Sequence, residues 1–332
     1  MLGRVTSSAP WPGRLLTSGG VSLHVRETPG PDGVPAVYVH GLSGSATNWT
    51  DLAGLLAPRA AGTAVDLPGF GHSPPLAVPD WSPQAHADAL LCFLAGRNER
   101  VHLLGNSMGG ALAIEVAARR PELVASLTLI SPAVPDRRPD PRRISDPRLA
   151  LALVPVLGRR ARAAVTALTP EQRARQVIDI CFGDPGRVPP ERMAEFAAEI
   201  ARRNRLPWTR DAVNRTAVAM IRSWARGRLW EVAARVRAPT LVVWGELDRL
   251  VAPRLAPRTA AVIPGAELLV LPGVGHVAQM EVPEVVADAV GRLWDRCDDR
   301  RADGGDGDRS REDAEGPARS SRETARRPEE HV

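Results

Sequence analysis

The chain has no lysine at all, and its 43 basic residues are every one arginine. A GC-rich coding sequence produces such usage, so the formal net charge of +5 says little about polyanionic partners. Aromatic residues amount to 4% with a single tyrosine, and no basic stretch is interleaved with stacking rings, which argues against a nucleic-acid-binding module. The three cysteines, Cys92, Cys181 and Cys297, lie far apart with no C-x-x-C and no metal-ligand spacing. They read as free thiols of a reducing compartment, and no metal site is expected. No apolar run reaches the length of a membrane-spanning helix. Behind Arg4 the segment Val5 to Pro10 holds no apolar core of a signal peptide. The expectation is a soluble, cytoplasmic protein.

What is present is core-forming material: 332 residues, 44% of them hydrophobic, enough for one large core with an insert. Residues 1–20 read as an N-terminal extension. From Val21 the chain alternates strands with helices. Val21 to Glu27 alternates like a half-buried strand, and Ala36-Val37-Tyr38-Val39 is a continuous apolar one that ends in His40-Gly41-Leu42-Ser43-Gly44. Asp51 to Leu56 reads as helix, Thr63 to Asp66 as strand and Trp81 to Leu94 as helix. Val101 to Leu104 is a buried strand, Ala111 to Arg119 a helix, and Ser126 to Ile130 the next strand, stopped at Ser131-Pro132. This alternation predicts an α/β fold with a mostly parallel, doubly wound sheet flanked by helices.

The alternation then stops. Residues 134–230 hold helical stretches at Arg148 to Leu168, Glu171 to Ile180, Glu191 to Arg203 and Thr209 to Arg226, with no convincing strand. Strands resume at Thr240 to Trp244 and Glu267 to Val270, and a last helix covers Val282 to Cys297. The core is therefore expected over 21–133 and 231–297, and 134–230 as an all-helical cap inserted over the strand ends, where α/β sheets place ligands. Residues 298–332 are nearly devoid of apolar side chains and are expected to be a disordered, charged tail.

Chemistry concentrates at Gly105-Asn106-Ser107-Met108-Gly109-Gly110, between a strand and a helix. So abrupt a reversal strains the central residue and lifts the Ser107 hydroxyl to the tip, beside the positive end of the helix that follows. A serine hydroxyl needs a base to take its proton and a carboxylate to orient that base. His24 and His102 sit inside strands, His40 and His72 in glycine-rich turns, His86 on a helix and His331 in the tail. His276 alone follows the last strand on the same sheet edge as Ser107. The carboxylate candidate is Asp248 in Gly245-Glu246-Leu247-Asp248, with Glu246 and Asp136 as weaker candidates. The order Ser107, Asp248, His276 is that of a nucleophile-elbow triad. Oxyanion donors are expected from the amides of Met108 and Leu42.

With these five motifs (His40-Gly41, Asp66 to Ser73, Gly105 to Gly110, Gly245 to Asp248 and Gly275-His276) the chain resembles the α/β-hydrolase family with a helical cap, over roughly Val21 to Cys297. The resemblance implies a serine hydrolase that works through an acyl-enzyme and needs no cofactor, with Asp66 in a structural role. Serine at the elbow argues against haloalkane dehalogenases and epoxide hydrolases, which carry aspartate there. The expected substrate is a small or medium apolar carboxylic ester. The alternatives are a carbon–carbon bond hydrolase, a cofactor-free haloperoxidase-like enzyme, an acyltransferase, and a ligand receptor or signalling protein built on the same fold. The elbow wording is similar to that of the carbon–carbon hydrolases of aromatic degradation, whereas Leu42-Ser43-Gly44-Ser45 departs from their Gly-Pro-Gly type of oxyanion loop. Trp208, Trp224 and Trp230 are candidates to face the apolar part of a substrate, each with core packing as the competing reading. From Asp136 to Arg228 there are 20 Arg against 10 acidic residues. Solvated helix faces explain this excess more simply than contact with a membrane surface.

Overall fold

The computed structural model describes residues 9–136, 168–224 and 227–312, with side chains as far as 299. The chain divides into two units, residues 1–294 and 295–332. The first contains an eight-stranded sheet in the order β1-β2-β4-β3-β5-β6-β7-β8. The strands are β1 (Gly13–Ser18), β2 (Val21–Thr28), β3 (Ala36–Val39), β4 (Gly62–Val65), β5 (Val101–Asn106), β6 (Val124–Ile130), β7 (Thr240–Gly245) and β8 (Glu267–Leu271). β1 and β2 run antiparallel to their neighbours, and β4-β3-β5-β6-β7-β8 are parallel throughout. The α/β architecture with a mostly parallel sheet is thus as the sequence predicts.

Every residue of β3, β4, β5, β6 and β7 is buried. β3 and β7 run almost wholly apolar without alternation, as strands covered on both faces do. β1 corrects the expectation of an N-terminal extension over 1–20. Leu15 is 60% exposed on this edge strand, so no apolar periodicity marks it. The available signal was Gly19-Gly20. Both glycines have positive φ (55° and 78°) and form the two-residue turn that pairs Ser18 with Val21.

The helices of the core are α1 (Thr50–Leu56), α2 (Pro83–Ala95) and α3 (Met108–Arg119). Ser82 starts α2 by accepting the Ala85 amide, ahead of a proline whose missing N–H costs nothing in the first turn. The segment between β6 and β7 contains α4 (Pro170–Cys181), α5 (Pro190–Arg203), α6 (Thr209–Trp224) and α7 (Arg228–Ala233), and no strand among its described residues. α4 begins at a reciprocal cap in which Thr169 and Gln172 each satisfy the other's amide. The helix expected over 148–168 lies outside the described residues. α7, which straddles the expected cap boundary at residue 230, packs on α3 of the core.

α8 (Ala256–Val262), α9 (Ala278–Glu281) and α10 (Pro283–Glu312) complete the chain. α10 runs past Cys297 to Glu312, into the stretch expected to be a disordered tail. No proline interrupts the sequence between Pro283 and Pro317, so nothing there forbids the helical hydrogen-bond ladder. Residues 313–332 lie outside the described part. Among the described residues no helix is long and apolar enough to cross a membrane.

Candidate active site

The carboxyl ends of β3, β5, β7 and β8 all open onto one edge of the sheet, and each is followed by one expected site residue. Ser107 lies between β5 and α3 with φ 54° and ψ −117°, a backbone conformation that L residues rarely hold. It is held there from both sides. Its amide donates to Ile130 O at 3.0 Å, and its carbonyl accepts from Ala111 N at 3.1 Å and Ala133 N at 2.8 Å. The turn also demands close approach of backbones, since a Cβ on Gly109 would sit 2.2 Å from Val39 O. α3 therefore starts against the end of β3, and Met108, its first residue, is fully buried there.

Asp248 and His276 come together as a hydrogen-bonded pair, His276 Nδ1 to Asp248 Oδ2 at 2.8 Å, with both side chains buried. The other carboxylate oxygen, Oδ1, accepts the amides of Leu250 at 2.8 Å and Val251 at 2.9 Å. These bonds fix the carboxylate with Oδ2 toward the ring, and an imidazole that donates from Nδ1 keeps its Nε2 lone pair for other work. Of the weaker candidates, Glu246 is exposed and Asp136 pairs with Arg254 at 2.6 Å.

Asn106 joins the two halves of the site, a role its sequence position did not reveal. Its Nδ2 donates to Ile130 O at 3.0 Å and to His276 O at 3.1 Å, tying the residue before Ser107 to the backbone of His276. The loop carrying Leu42 approaches from β3. A Cβ on Gly41 would lie 3.0 Å from the Cβ of Ser107.

His40 and Asp66 support this loop from below. His40 is fully buried, donates from Nδ1 to Gly41 O at 2.7 Å and accepts the Leu67 amide on Nε2 at 3.0 Å. Burial pushes its pKa below the ordinary imidazole value despite nearby Asp66, which matches a neutral ring with one donor and one acceptor. Asp66 accepts from Ala46 N (2.6 Å), His72 N (2.8 Å) and His24 Nδ1 (2.7 Å). Burial alone would raise its pKa; the bond from His24 and the neighbouring His40 outweigh it and hold the carboxyl below its usual range.

The three tryptophans separate. Trp230 is core: it is 8% exposed, packs in the main apolar cluster, donates to Pro135 O at 3.1 Å and carries Arg258 over its ring at 4.2 Å. This corrects its candidacy as a substrate contact, and the reason is that α7 packs on α3. Trp224 is half-buried and donates to Ala133 O at 3.2 Å, the residue whose amide holds the Ser107 carbonyl. Trp208 is half-buried just ahead of α6. Among the described residues no group of three or more His, Cys, Asp or Glu side chains is placed to hold a metal ion.

The sequence profile described as the alpha/beta hydrolase family matches residues 36–289. A dihydrolipoyllysine-residue acetyltransferase component of the acetoin cleaving system from Pseudomonas putida is 32% identical over 81% of this chain, and the match spans 65% of that relative's own length. Lipase 1 of Psychrobacter immobilis is 27% identical over 82% of this chain and 81% of its own. Among solved structures, a thermophilic esterase from Thermogutta terrifontis superposes with a TM-score of 0.65 at 25% identity, covering 86% of this chain and 99% of that one. The chain belongs to the alpha/beta hydrolase family, and its relatives mark it as a hydrolase.

Proposed function

We propose that the protein is a serine hydrolase that cleaves small or medium apolar carboxylic esters through an acyl-enzyme. Its catalytic residues are Ser107, His276 and Asp248, with the amides of Leu42 and Met108 as oxyanion donors. The observation that supports this most is the 2.8 Å bond from His276 Nδ1 to Asp248 Oδ2, tied through Asn106 to the strained Ser107.

In this reading His276 Nε2 takes the proton of the Ser107 hydroxyl as its oxygen attacks the ester carbonyl. The negative oxygen of the tetrahedral adduct is met by the two amides, one of them at the positive end of α3. His276 returns the proton to the departing alcohol, and the acyl group stays on Ser107. Water then attacks under the same histidine, the acid leaves, and the serine regains its proton. Asp248 stays ionised throughout and stabilises the imidazolium. Trp208 and Trp224 remain the candidates of the inserted helices for contact with the acyl group.

The test is hydrolysis of p-nitrophenyl esters from acetate to palmitate by wild type and Ser107→Ala, with a fluorophosphonate as covalent probe. Ser107→Ala is expected to lose labelling entirely and to lower kcat by at least about 10³-fold. Activity that survives the substitution in pure protein would overturn the assignment. Labelling without turnover on any ester would redirect the substrate search to carbon–carbon bond hydrolysis, acyl transfer or a receptor role.

A further inference from the structure

The Glu281 carboxylate is fully enclosed, yet it lies outside the triad. Four donors converge on it. Its Oε2 accepts Gly275 N at 2.8 Å and Gly183 N at 2.9 Å, and its Oε1 accepts Asp184 N at 2.9 Å and Arg187 Nη1 at 3.2 Å. Four bonds saturate the acceptor capacity of a carboxylate. Gly275 immediately precedes His276, whereas Gly183, Asp184 and Arg187 belong to the connection between α4 and α5. One side chain thus clasps the segment that carries the histidine and a segment of the inserted helices.

The two segments lie backbone to backbone. His276 N donates to Cys181 O at 2.6 Å, and a Cβ on Gly275 would fall 2.3 Å from Cys181 O and 2.5 Å from Gly183 N. On its other side the same loop faces the end of β7, where Leu247 N donates to Val274 O at 2.8 Å one residue ahead of Asp248. The short helix α9, directly behind His276, turns the Glu281 carboxylate back onto the histidine's own neighbour.

We propose that Glu281 is a positioning residue: by clamping Gly275 to Gly183 and Asp184 it sets the backbone from which His276 reaches Asp248, and it couples the inserted helices to the base of the triad. The inference rests on the reading of His276 as that base. Glu281 acts through His276 and takes no part in bond making. A glutamine at this position offers one acceptor oxygen and turns an N–H₂ toward donors, so half of the clamp is left unmade.

The experiment compares wild type, Glu281→Gln and Ser107→Ala well below their melting temperatures. It reads the fluorophosphonate labelling rate per active site, kcat and KM separately, and the imidazole Nδ1–H proton of His276 by NMR, assigned by its loss in His276→Gln. For Glu281→Gln the expected result is full labelling stoichiometry, labelling rate and kcat down by about 100-fold, KM unchanged, and a broadened Nδ1–H signal. Wild-type rates with a wild-type signal would overturn the proposal, as would a loss that only tracks the unfolded fraction. If wild type is not labelled while the Nδ1–H signal still depends on Glu281, the acyl-enzyme reading fails and the positioning role stands. Should Glu281→Gln not fold, Arg187→Met removes one donor and keeps all three amide bonds. A smaller loss in the same two readouts supports the clamp, and wild-type values overturn it.

Discussion

The sheet and two of the helices inserted after β6, α4 and α5, are held in different ways. The sheet is a contiguous apolar core in which Val37, Val39, Leu103, Leu127 and Val242 are fully excluded from water. Each such side chain contributes about 1.5–3 kcal/mol by burial. The inserted helices differ among themselves: α6 and α7 place Ala212, Met220, Trp230 and Val232 in that same core, whereas α5 meets the core mainly through polar groups. Arg203 donates to Ser43 O at 2.9 Å and Gly44 O at 3.1 Å and Arg192 pairs with Asp51, while Thr216 of α6 meets His86 at 3.2 Å. The apolar cluster at α4 is small: Ile178 and Phe182 gather with Val277, the residue after His276. The contacts of α4 and α5 therefore form a set separable from the apolar core. Apolar burial is indifferent to pH and to charge; the polar attachments respond to both.

Leu103→Ala attacks the first set and should have the largest effect on stability, a loss of about 2–5 kcal/mol in urea unfolding. The variant still folded at low temperature should retain its turnover per site; a selective loss of turnover would erase the distinction. Arg203→Ala attacks the second set by stripping the donor from two carbonyls of the loop after Leu42. It should cost only about 1–2 kcal/mol globally, yet lower kcat/KM about tenfold, and ester kinetics beside a melting curve would separate the two.

A further effect, confined to acid, is expected from pH acting on Glu199. This carboxyl of α5 faces His72 at 3.5 Å, Arg202 at 2.8 Å and Arg203 at 3.8 Å. Burial raises its pKa, but the His72 bond and the two arginines outweigh that and depress it from 4.5 to about 2. A carboxyl with a depressed folded pKa contributes stability that is complete above the unfolded value and is lost as pH falls through the folded one. Between pH 4.5 and 2 wild type should lose stability that Glu199→Gln lacks at every pH. Parallel pH–stability curves for the two would show that the contact contributes nothing.

Where the sequence speaks through local pattern, it was readable. β3 and β7 announce themselves as apolar runs, α4 as a helical stretch from Glu171 to Ile180, and the Ser107 turn through its glycines. Each depends on residues a few positions apart. β1 was missed because an edge strand with an exposed Leu15 has no buried face to impose alternation. For Trp230 the sequence leaves substrate contact and core packing both open, because an indole next to a helix start looks the same whether it faces a ligand or α3. The order of strand ends places Asp248 and His276 in one region. It could not show that Asn106 reaches the His276 carbonyl or that Glu281 reaches Gly183, because 170 and 98 residues separate those partners and no spacing rule spans such distances.

The separation between Asn106 and His276 also bears on how the protein is made. A bond across so long an interval carries a loop-closure cost that contacts between near neighbours do not. The serine turn and its sheet neighbours can form early from nearby sequence, while the bond from Asn106 to His276 waits for β8 and the loop behind it. A nascent chain stalled between Ala133 and residue 276 already contains every partner of the Ser107 turn named above, but not His276. The contact between the Ser107 turn and His276 thus arrives late in synthesis, once β8 and the loop behind it have emerged.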